Sequence, residues 1–87
     1  MPNQRTIQQR VAAIQDRARV RAEALALLRS GEGRALRTEA GMTQREVGEL
    51  VGVGEAMVGL WETGDRNPNE EHSRRYLELI SALRGES

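Results

Sequence analysis

Residues 41–68 constrain the fold more than any other part of the chain, because they contain two short helical patterns separated by one tight turn. Thr43 and Glu46 have the spacing of a capping box, in which the Thr side chain caps a helix and the Glu side chain reaches back. Gly52 is predicted to end this helix with a positive φ, and residues 55–63 are predicted to form the next one. The segment therefore predicts two short helices that meet at a glycine turn.

The apolar residues of this segment predict how its helices pack. Val47 and Val51 are four residues apart and Val58 and Trp61 are three apart, so each pair lies on one face of its helix. Gly48 lies on the face where a crossing helix must come close, which a Cβ atom would hinder. Two short helices packed in this way form a helix-turn-helix, a scaffold that usually presents its second helix to the major groove of DNA.

Further helices are predicted on both sides of this unit. Residues 34–40 form a short helix, preceded by a hinge or short turn at residues 30–33, where two glycines make a continuous helix costly. Residues 64–68 are rich in turn-forming residues, and Asn69 caps a last helix whose end is marked by Gly85. The predicted inner face of that helix consists of Tyr76, Leu77, Ile80 and Leu83.

The N-terminal segment has no Pro or Gly between residues 4 and 29, and it predicts a continuous helix over most of residues 5–29. Its apolar residues are spaced alternately by four and three, the spacing of a narrow helical seam, and Arg21 interrupts one position. The seam consists of Ile7, Val11, Ile14, Ala18, Leu25 and Leu28. The apolar face is widened near the end of the helix by Val20, Ala24 and Leu27. We expect the first three seam residues and Leu25 to be buried, either against the body of the domain or against a second copy of the chain.

The chain has 87 residues, enough for one small domain with an appended helix. We divide it into an Arg-rich N-terminal helix, residues 1–30, and a helix-turn-helix domain, residues 31–87, with an all-α fold class. No apolar run approaches the length of a membrane span, and the N-terminus lacks the apolar segment of a signal peptide. We therefore expect a soluble cytoplasmic protein.

The charges are unevenly distributed although the net charge is zero. The first 37 residues hold eight Arg and three acidic residues, whereas residues 38–87 hold five Arg and ten acidic residues. A basic segment of this kind either faces nucleic-acid phosphates or is a solvated helix in a protein whose composition favours Arg. Both interpretations stay open, so residues 1–30 are expected to serve dimerisation or to extend a DNA contact.

The sequence contains no pattern typical of an enzyme or a metal site. It has no cysteine, and its one histidine, His72, is expected to be solvated because no second ligand lies at metal spacing. No nucleophile lies beside a base. Gly52 and Gly54 follow a helix rather than a strand, unlike the glycines of a nucleotide-binding loop. We therefore predict that the protein is not an enzyme and uses no cofactor.

The order of these features resembles a known family. Gly-x-Thr-Gln-x-x-Val-Gly-x-x-Val-Gly-Val, followed by Val-x-x-Trp-Glu-x-Gly-x-Arg-x-Pro, closely resembles the lambda-repressor/Cro-like (XRE) helix-turn-helix family over about residues 34–83. The resemblance implies a compact all-α bundle of four to five helices and a DNA-binding transcription regulator. It also implies double-stranded DNA as the partner and, through DNA binding, a location at the nucleoid.

The resemblance assigns roles to individual residues. Gln44 is implied to touch a DNA phosphate and to brace the second helix, and Arg66 to touch phosphate from the loop beyond that helix. Arg37 and Glu62 are implied to form a buried ion pair. Helix N-termini attract anions through their free N–H groups and the helix dipole. Thr43 and Arg45, the two neighbours of Gln44, are therefore also predicted to contact phosphate. The predicted phosphate contacts are Thr43, Gln44, Arg45 and Arg66.

The positions that face the groove depart from the family. Relatives usually carry polar or basic side chains there, whereas this chain has one acid, two glycines and two apolar residues, and none of the Arg, Gln or Asn side chains that read bases bidentately. Glu55 can accept a hydrogen bond from a cytosine amino group, and Ala56 and Leu60 can contact thymine methyl groups. The groove-facing positions are Gly54, Glu55, Ala56, Gly59 and Leu60, of which the last four are the predicted base-reading residues.

Two functions from different classes stay open. The first is a sequence-preferring transcription regulator, such as a repressor, that binds double-stranded DNA as a homodimer, mainly through phosphates and DNA shape. The second is a helix-turn-helix module that binds another regulatory protein, as an antirepressor or antitoxin-like partner does, with weak or no DNA binding. The acidic C-terminal half and an exposed apolar surface at Leu50 and Leu60 favour the second. Salt-dependent DNA binding discriminates between them.

Overall fold

The protein folds into five α-helices joined by short turns in a computed structural model, which describes residues 4–86. The helices are α1 (Gln4–Ser30), α2 (Glu32–Glu39), α3 (Gln44–Val51), α4 (Glu55–Thr63) and α5 (Glu70–Leu83). No strand occurs among the described residues, so the predicted all-α fold class with a long N-terminal helix is confirmed. None of these helices is both long enough and apolar enough to span a membrane.

A single residue, Gly31, separates α1 from α2. Its φ of 82° lies in the left-handed region that favours glycine. Because one residue suffices to turn the chain, α2 begins at Glu32, two residues before the predicted start, and the predicted hinge over residues 30–33 is too long. Gly33 lies inside α2, where an added Cβ would collide with the Tyr76 hydroxyl.

The core lies where α3, α4 and α5 meet the second half of α1. The buried apolar side chains of α3, α4 and α5 are Val47, Val51, Val58, Trp61, Tyr76 and Ile80. Helical spacing predicted all of them to face inward. Leu77 and Leu83 are half-buried at the edge of this core. His72 is half-buried too, with its ring 5.8 Å from that of Trp61, so the prediction of a solvated histidine is wrong.

Only the second half of α1 packs against the body. Its buried residues are Val20, Ala24, Leu27 and Leu28, and α5 is its principal neighbour. By contrast, Ile7, Val11 and Ile14 are 50%, 46% and 56% exposed, whereas Leu25 is half-buried. Of the two alternatives left open, burial against the body is therefore wrong for the first three seam residues. Farther along the helix the body buries the residues that widen the apolar face and also the last seam residue, Leu28.

Exposed ion pairs connect the first two helices with α5. The Arg74 guanidinium lies 2.7 Å from Asp16 on α1, and this hydrogen bond lowers the pKa of Asp16. Arg84 pairs with Glu32 on α2. Exposed pairs typically contribute about 0–1 kcal/mol each, so the apolar core rather than these pairs holds the helices together.

Tyr76 offers a direct measurement of core packing, because it is the only tyrosine of the chain. Burial raises the pKa of its hydroxyl from 10.0 to about 12. Its contribution to stability is therefore complete below the unfolded pKa and is lost as the pH rises toward the folded one. We expect phenolate absorbance to appear well above pH 10.0 in the folded protein and near that value in urea. Equal midpoints in the two states would contradict the packing, and Tyr76→Phe should flatten the alkaline loss of stability.

Candidate nucleic-acid interface

A complete capping box starts α3. Thr43 Oγ1 accepts a hydrogen bond from the Glu46 amide at 3.0 Å, and the Glu46 carboxylate accepts one from the Thr43 amide at 2.9 Å. The hydrogen bonds from the Thr43 amide and hydroxyl lower the pKa of Glu46. Because the box fixes the first turn and Thr43 is exposed, the N-terminus of α3 is presented at the protein surface.

The turn between α3 and α4 depends on two glycines. Gly52 ends α3 with a φ of 97°. The Gly48 carbonyl accepts hydrogen bonds from the Gly52 amide at 2.7 Å and the Val53 amide at 2.9 Å. A Cβ added to Gly48 would overlap the Val53 carbonyl oxygen. The closest neighbours are thus the Val53 carbonyl of the turn and the backbone of Gly54, the N-cap residue of the crossing helix α4.

Arg37, Glu62 and Gln44 form a network that connects α2, α3 and α4. The Arg37 guanidinium donates to the two Glu62 carboxylate oxygens at 2.8 and 2.9 Å and to the Met42 carbonyl at 3.0 Å. The Gln44 side-chain amide donates to Glu62 Oε1 at 3.0 Å. The ion pair exposes only 11% of the Arg37 side chain and 5% of the Glu62 side chain. The two residues that the resemblance paired are therefore in contact inside the domain.

The same network keeps Glu62 ionised. Burial by itself raises the pKa of Glu62, but the hydrogen bonds from Arg37 and Gln44, with the nearby positive charge, lower it below its usual value. The hydrogen bond to Glu62 in turn raises the pKa of Arg37. The contribution of Glu62 to stability is present above its unfolded pKa and is lost as the pH falls through the folded one. At neutral pH, α4 is consequently attached to its neighbours by a fully charged pair.

The outer side of α4 is open to solvent. Four of the residues predicted to face the groove are exposed, namely Gly54, Glu55, Ala56 and Leu60. The fifth, Gly59, is half-buried beneath the Gln44 side chain, whose Oε1 would lie 3.5 Å from an added Cβ. Met57, which the resemblance did not assign to this side, is 37% exposed. The exposed surface of α4 is therefore mainly apolar, with Glu55 as its one acid.

The predicted phosphate contacts lie at the start of α3 and in the loop after α4. Arg45 is exposed, and its 3.5 Å pair with Glu49 is too exposed to hold it in place. Gln44 is half-buried and engaged in the network, which makes it a brace for α4. Arg66 is exposed, and its amide donates to the Leu60 carbonyl at 3.2 Å, so its position is fixed relative to the end of α4.

Arg29 reaches this loop from the end of α1, a contact that no sequence pattern predicted. Its Nη2 donates to Asn67 Oδ1 at 3.1 Å, next in the chain to Arg66. Arg34 on α2 also places positive charge near the ion-pair network, where it helps to lower the pKa of Glu62. The only sequence signal for these residues was the excess of Arg in the first 37 residues, because no local spacing relates Arg29 to a loop 38 positions away.

Leu50 belongs to a different surface. It is 60% exposed on α3 and lines a shallow groove against α5. The other residues that line this groove are Arg75, Glu78, Leu79 and Ala82. None of them lies on α4, so the groove does not join Leu50 to Leu60.

Comparisons with known proteins agree with this geometry. A family model described as helix-turn-helix matches residues 34–80, which include α3, the glycine turn, α4 and most of α5. The chain matches no curated protein and no solved structure. The family match covers more than half of the chain, and its boundaries enclose the capping box, the ion-pair network and the exposed side of α4. The protein therefore belongs to the lambda-repressor/Cro-like (XRE) helix-turn-helix family.

Proposed function

We propose that the protein is a transcription regulator that binds double-stranded DNA as a dimer, with α4 in the major groove. The observation that carries the proposal is the hydrogen bond from Gln44 to Glu62, which ties the first turn of α3 to α4 while the outer side of α4 stays open. In helix-turn-helix proteins the second helix enters the groove and the first crosses the backbone. This attachment holds the two elements in one rigid orientation for such docking.

Phosphate contacts supply most of the affinity in this proposal. The first turn of α3 offers the exposed Thr43 and Arg45 together with free backbone N–H groups. Arg66 offers a second contact from the loop after α4, and Arg29 lies beside that loop. Each Arg that neutralises a phosphate releases a condensed counterion, so binding must weaken as salt rises.

Sequence preference is the weaker part of the interaction. Ala56 and Leu60 can contact thymine methyl groups, and Glu55 can accept a hydrogen bond from cytosine. Gly59 lies beneath Gln44, so it adds little surface of its own. With no bidentate base reader on α4, DNA shape and deformability contribute a large share of the preference.

A protein-interaction module is the second candidate. Met57 and Leu60, three residues apart on α4, expose 37% and 36% of their surface. Apolar side chains grouped on one helix face favour a protein partner, such as another regulator. In that case DNA binding is weak or absent even at low salt.

The decisive experiment measures binding of fluorescent duplex DNA, both the protein's own upstream DNA and a random pool, as a function of salt. The logarithm of the affinity is expected to fall linearly with the logarithm of salt concentration, by about 0.9 per phosphate contact. Arg66→Ala should reduce this slope by about one contact and weaken binding similarly on all sequences. Arg84→Ala is the control, because the Arg84 guanidinium already pairs with the Glu32 carboxylate.

A linear salt dependence with a reduced slope for Arg66→Ala supports the proposal. No binding by the wild type at low salt would overturn it in favour of the protein-interaction module. An equal loss of slope in Arg66→Ala and Arg84→Ala would show that charge anywhere on the protein matters, and that Arg66 has no specific contact.

A further inference from the structure

The first half of α1, residues 4–18, carries an apolar seam that has no role in the proposed binding of the DNA groove. Ile7, Val11, Ile14 and Ala18 are all exposed. At 3.6 residues per turn, the centre of these four residues lies roughly 125° around the helix from the centre of the residues that the body buries. These four residues therefore face away from the buried side of α1.

Residues 4–15 of α1 contribute no side chain to the buried core. The ion pair of Asp16 with Arg74 and the burial of Val20 mark where α1 meets the domain. Helices shorter than about 12–15 residues are marginal in water, and most helical stability comes from packing an apolar face. Residues 4–15 thus have the composition of a helix but lack the packing that would stabilise it in a lone chain.

The spacing of the seam matches a coiled coil. Ile7 and Ile14 occupy d positions and Val11 and Ala18 occupy a positions of consecutive heptads, which is the repeat that inserts side chains between those of a facing helix. The next d position is Arg21, so the apolar repeat ends at Ala18. A helix with the same repeat is the natural occupant, and a second copy of this chain supplies one in register.

We infer that residues 7–18 pair with the same residues of a second copy in a parallel two-stranded coiled coil. This inference rests on the proposed function for its two-fold stoichiometry, since helix-turn-helix dimers bind two half-sites. It identifies the surface through which the proposed dimer forms. The body of each copy buries α1 only from Val20 onward, including the last seam residue Leu28, so the coil is confined to residues 7–18.

The charges beside the seam select the parallel orientation. Arg10 and Arg17 occupy g positions, and a parallel pairing places them opposite Gln15 and Ala22 of the partner subunit at e positions. An antiparallel pairing of the same four layers instead brings each copy's Arg10 close to the other copy's Arg17. Like charges that face each other in this way are destabilising, whereas Gln15 can accept a hydrogen bond from a guanidinium.

The first test is the mass of the protein in solution, measured by light scattering in the absence of DNA. The wild type is expected at twice 9.7 kDa. Ile14→Glu should raise the dimer dissociation constant more than about a hundredfold, because a carboxylate in the seam would be buried without a partner. Gln9→Glu is the matched control, since Gln9 is an exposed f position of the same helix and the charge change is identical.

Loss of folding does not confuse this comparison, because the body does not cover Ile14. Trp61 fluorescence and thermal melting should show an intact domain in both variants. A wild-type monomer would overturn the inference and leave the seam to an acidic protein partner or to DNA. A wild-type trimer, or a dimer that survives Ile14→Glu unchanged, would overturn it too.

The orientation is tested by crosslinking, because the chain has no cysteine of its own. Ile7→Cys should form a disulfide-linked dimer under mild oxidation, since facing d positions bring the Cα atoms within the range of about 4.4–6.8 Å that a disulfide needs. In the antiparallel arrangement the two substituted positions would lie roughly 16 Å apart along the axis. Gln9→Cys is the control that should remain uncrosslinked. A dimer that Ile14→Glu dissociates but Ile7→Cys does not crosslink would overturn the parallel arrangement.

The failure of this inference can be distinguished from the failure of the proposed function. Mass and crosslinking are measured without DNA, so a dimer that binds no DNA refutes the proposed regulator and leaves the coiled coil standing. A monomer that binds DNA with a steep salt dependence refutes the coiled coil and leaves the proposed DNA binding standing.

Discussion

Arg37→Met is expected to lower the free energy of unfolding by about 3–5 kcal/mol, because it leaves the Glu62 carboxylate buried without its charged partner. Met keeps the length and the apolar part of the side chain, so the loss comes mainly from the stranded charge. The variant also removes the hydrogen bond to the Met42 carbonyl. Urea unfolding followed by the fluorescence of Trp61, the only tryptophan, measures the effect.

Two further variants separate the buried pair from charge in general. Arg45→Met breaks an exposed ion pair with Glu49 and should cost less than about 1 kcal/mol. Adding Glu62→Leu to Arg37→Met should recover part of the loss, since apolar replacements of a buried ion pair are often neutral. If Arg37→Met unfolded at the wild-type urea concentration, the pair would be solvated rather than buried.

Gly48→Ala is expected to destabilise the protein by roughly 2–3 kcal/mol, although Ala is the better helix former by about 1 kcal/mol. The added Cβ would overlap the Val53 carbonyl oxygen, which belongs to the backbone of the turn. That backbone is held by the hydrogen bond from the Val53 amide to the Gly48 carbonyl, so it cannot move without loss of the turn. Urea unfolding measures the change in the free energy of unfolding, and the NMR signals of the backbone amides in the turn report on its local structure.

Gly59→Ala is the matched control, because Gly59 is also a glycine inside a short helix of the same unit. Its added Cβ would make only ordinary contacts, the nearest being Gln44 Oε1 at 3.5 Å. Helix propensity should therefore dominate, and the variant should be more stable than the wild type by about 0.5–1 kcal/mol. Stabilisation by both substitutions would show that the turn does not approach Gly48 closely.

Features determined within a few residues could be predicted from the sequence. The capping box of Thr43 and Glu46, the turn at Gly52 and the Asn69 cap depend on atoms at most five residues apart, and they form as expected. The inward positions of Val58 and Trp61 follow from helical period in the same way. The pairing of Arg37 with Glu62 needed the family resemblance, because 25 residues separate the two partners.

The predictions that failed concern the start of α2 and the surroundings of His72. α2 starts at Glu32 because Gly31 turns the chain in one residue, which composition did not reveal. The His72 ring lies 5.8 Å from that of Trp61 on another helix, and no spacing within α5 indicates that contact. The phosphate-contact and base-reading roles of the residues on α3, α4 and the following loop stay predictions for the DNA-binding experiment.

The sequence by itself determined that the chain forms five helices around a mostly aliphatic core and belongs to a helix-turn-helix family, because caps, glycine turns and helical period are local. Only the tertiary structure decided which side of α1 the body buries. The helix offers one apolar seam through Ile7 and Ile14 and another apolar strip around Ala24, and helical period alone cannot rank them. The packing of α5 and the rest of the body against the second half of α1 makes the choice, because it buries Ala24 and leaves Ile7, Val11 and Ile14 exposed.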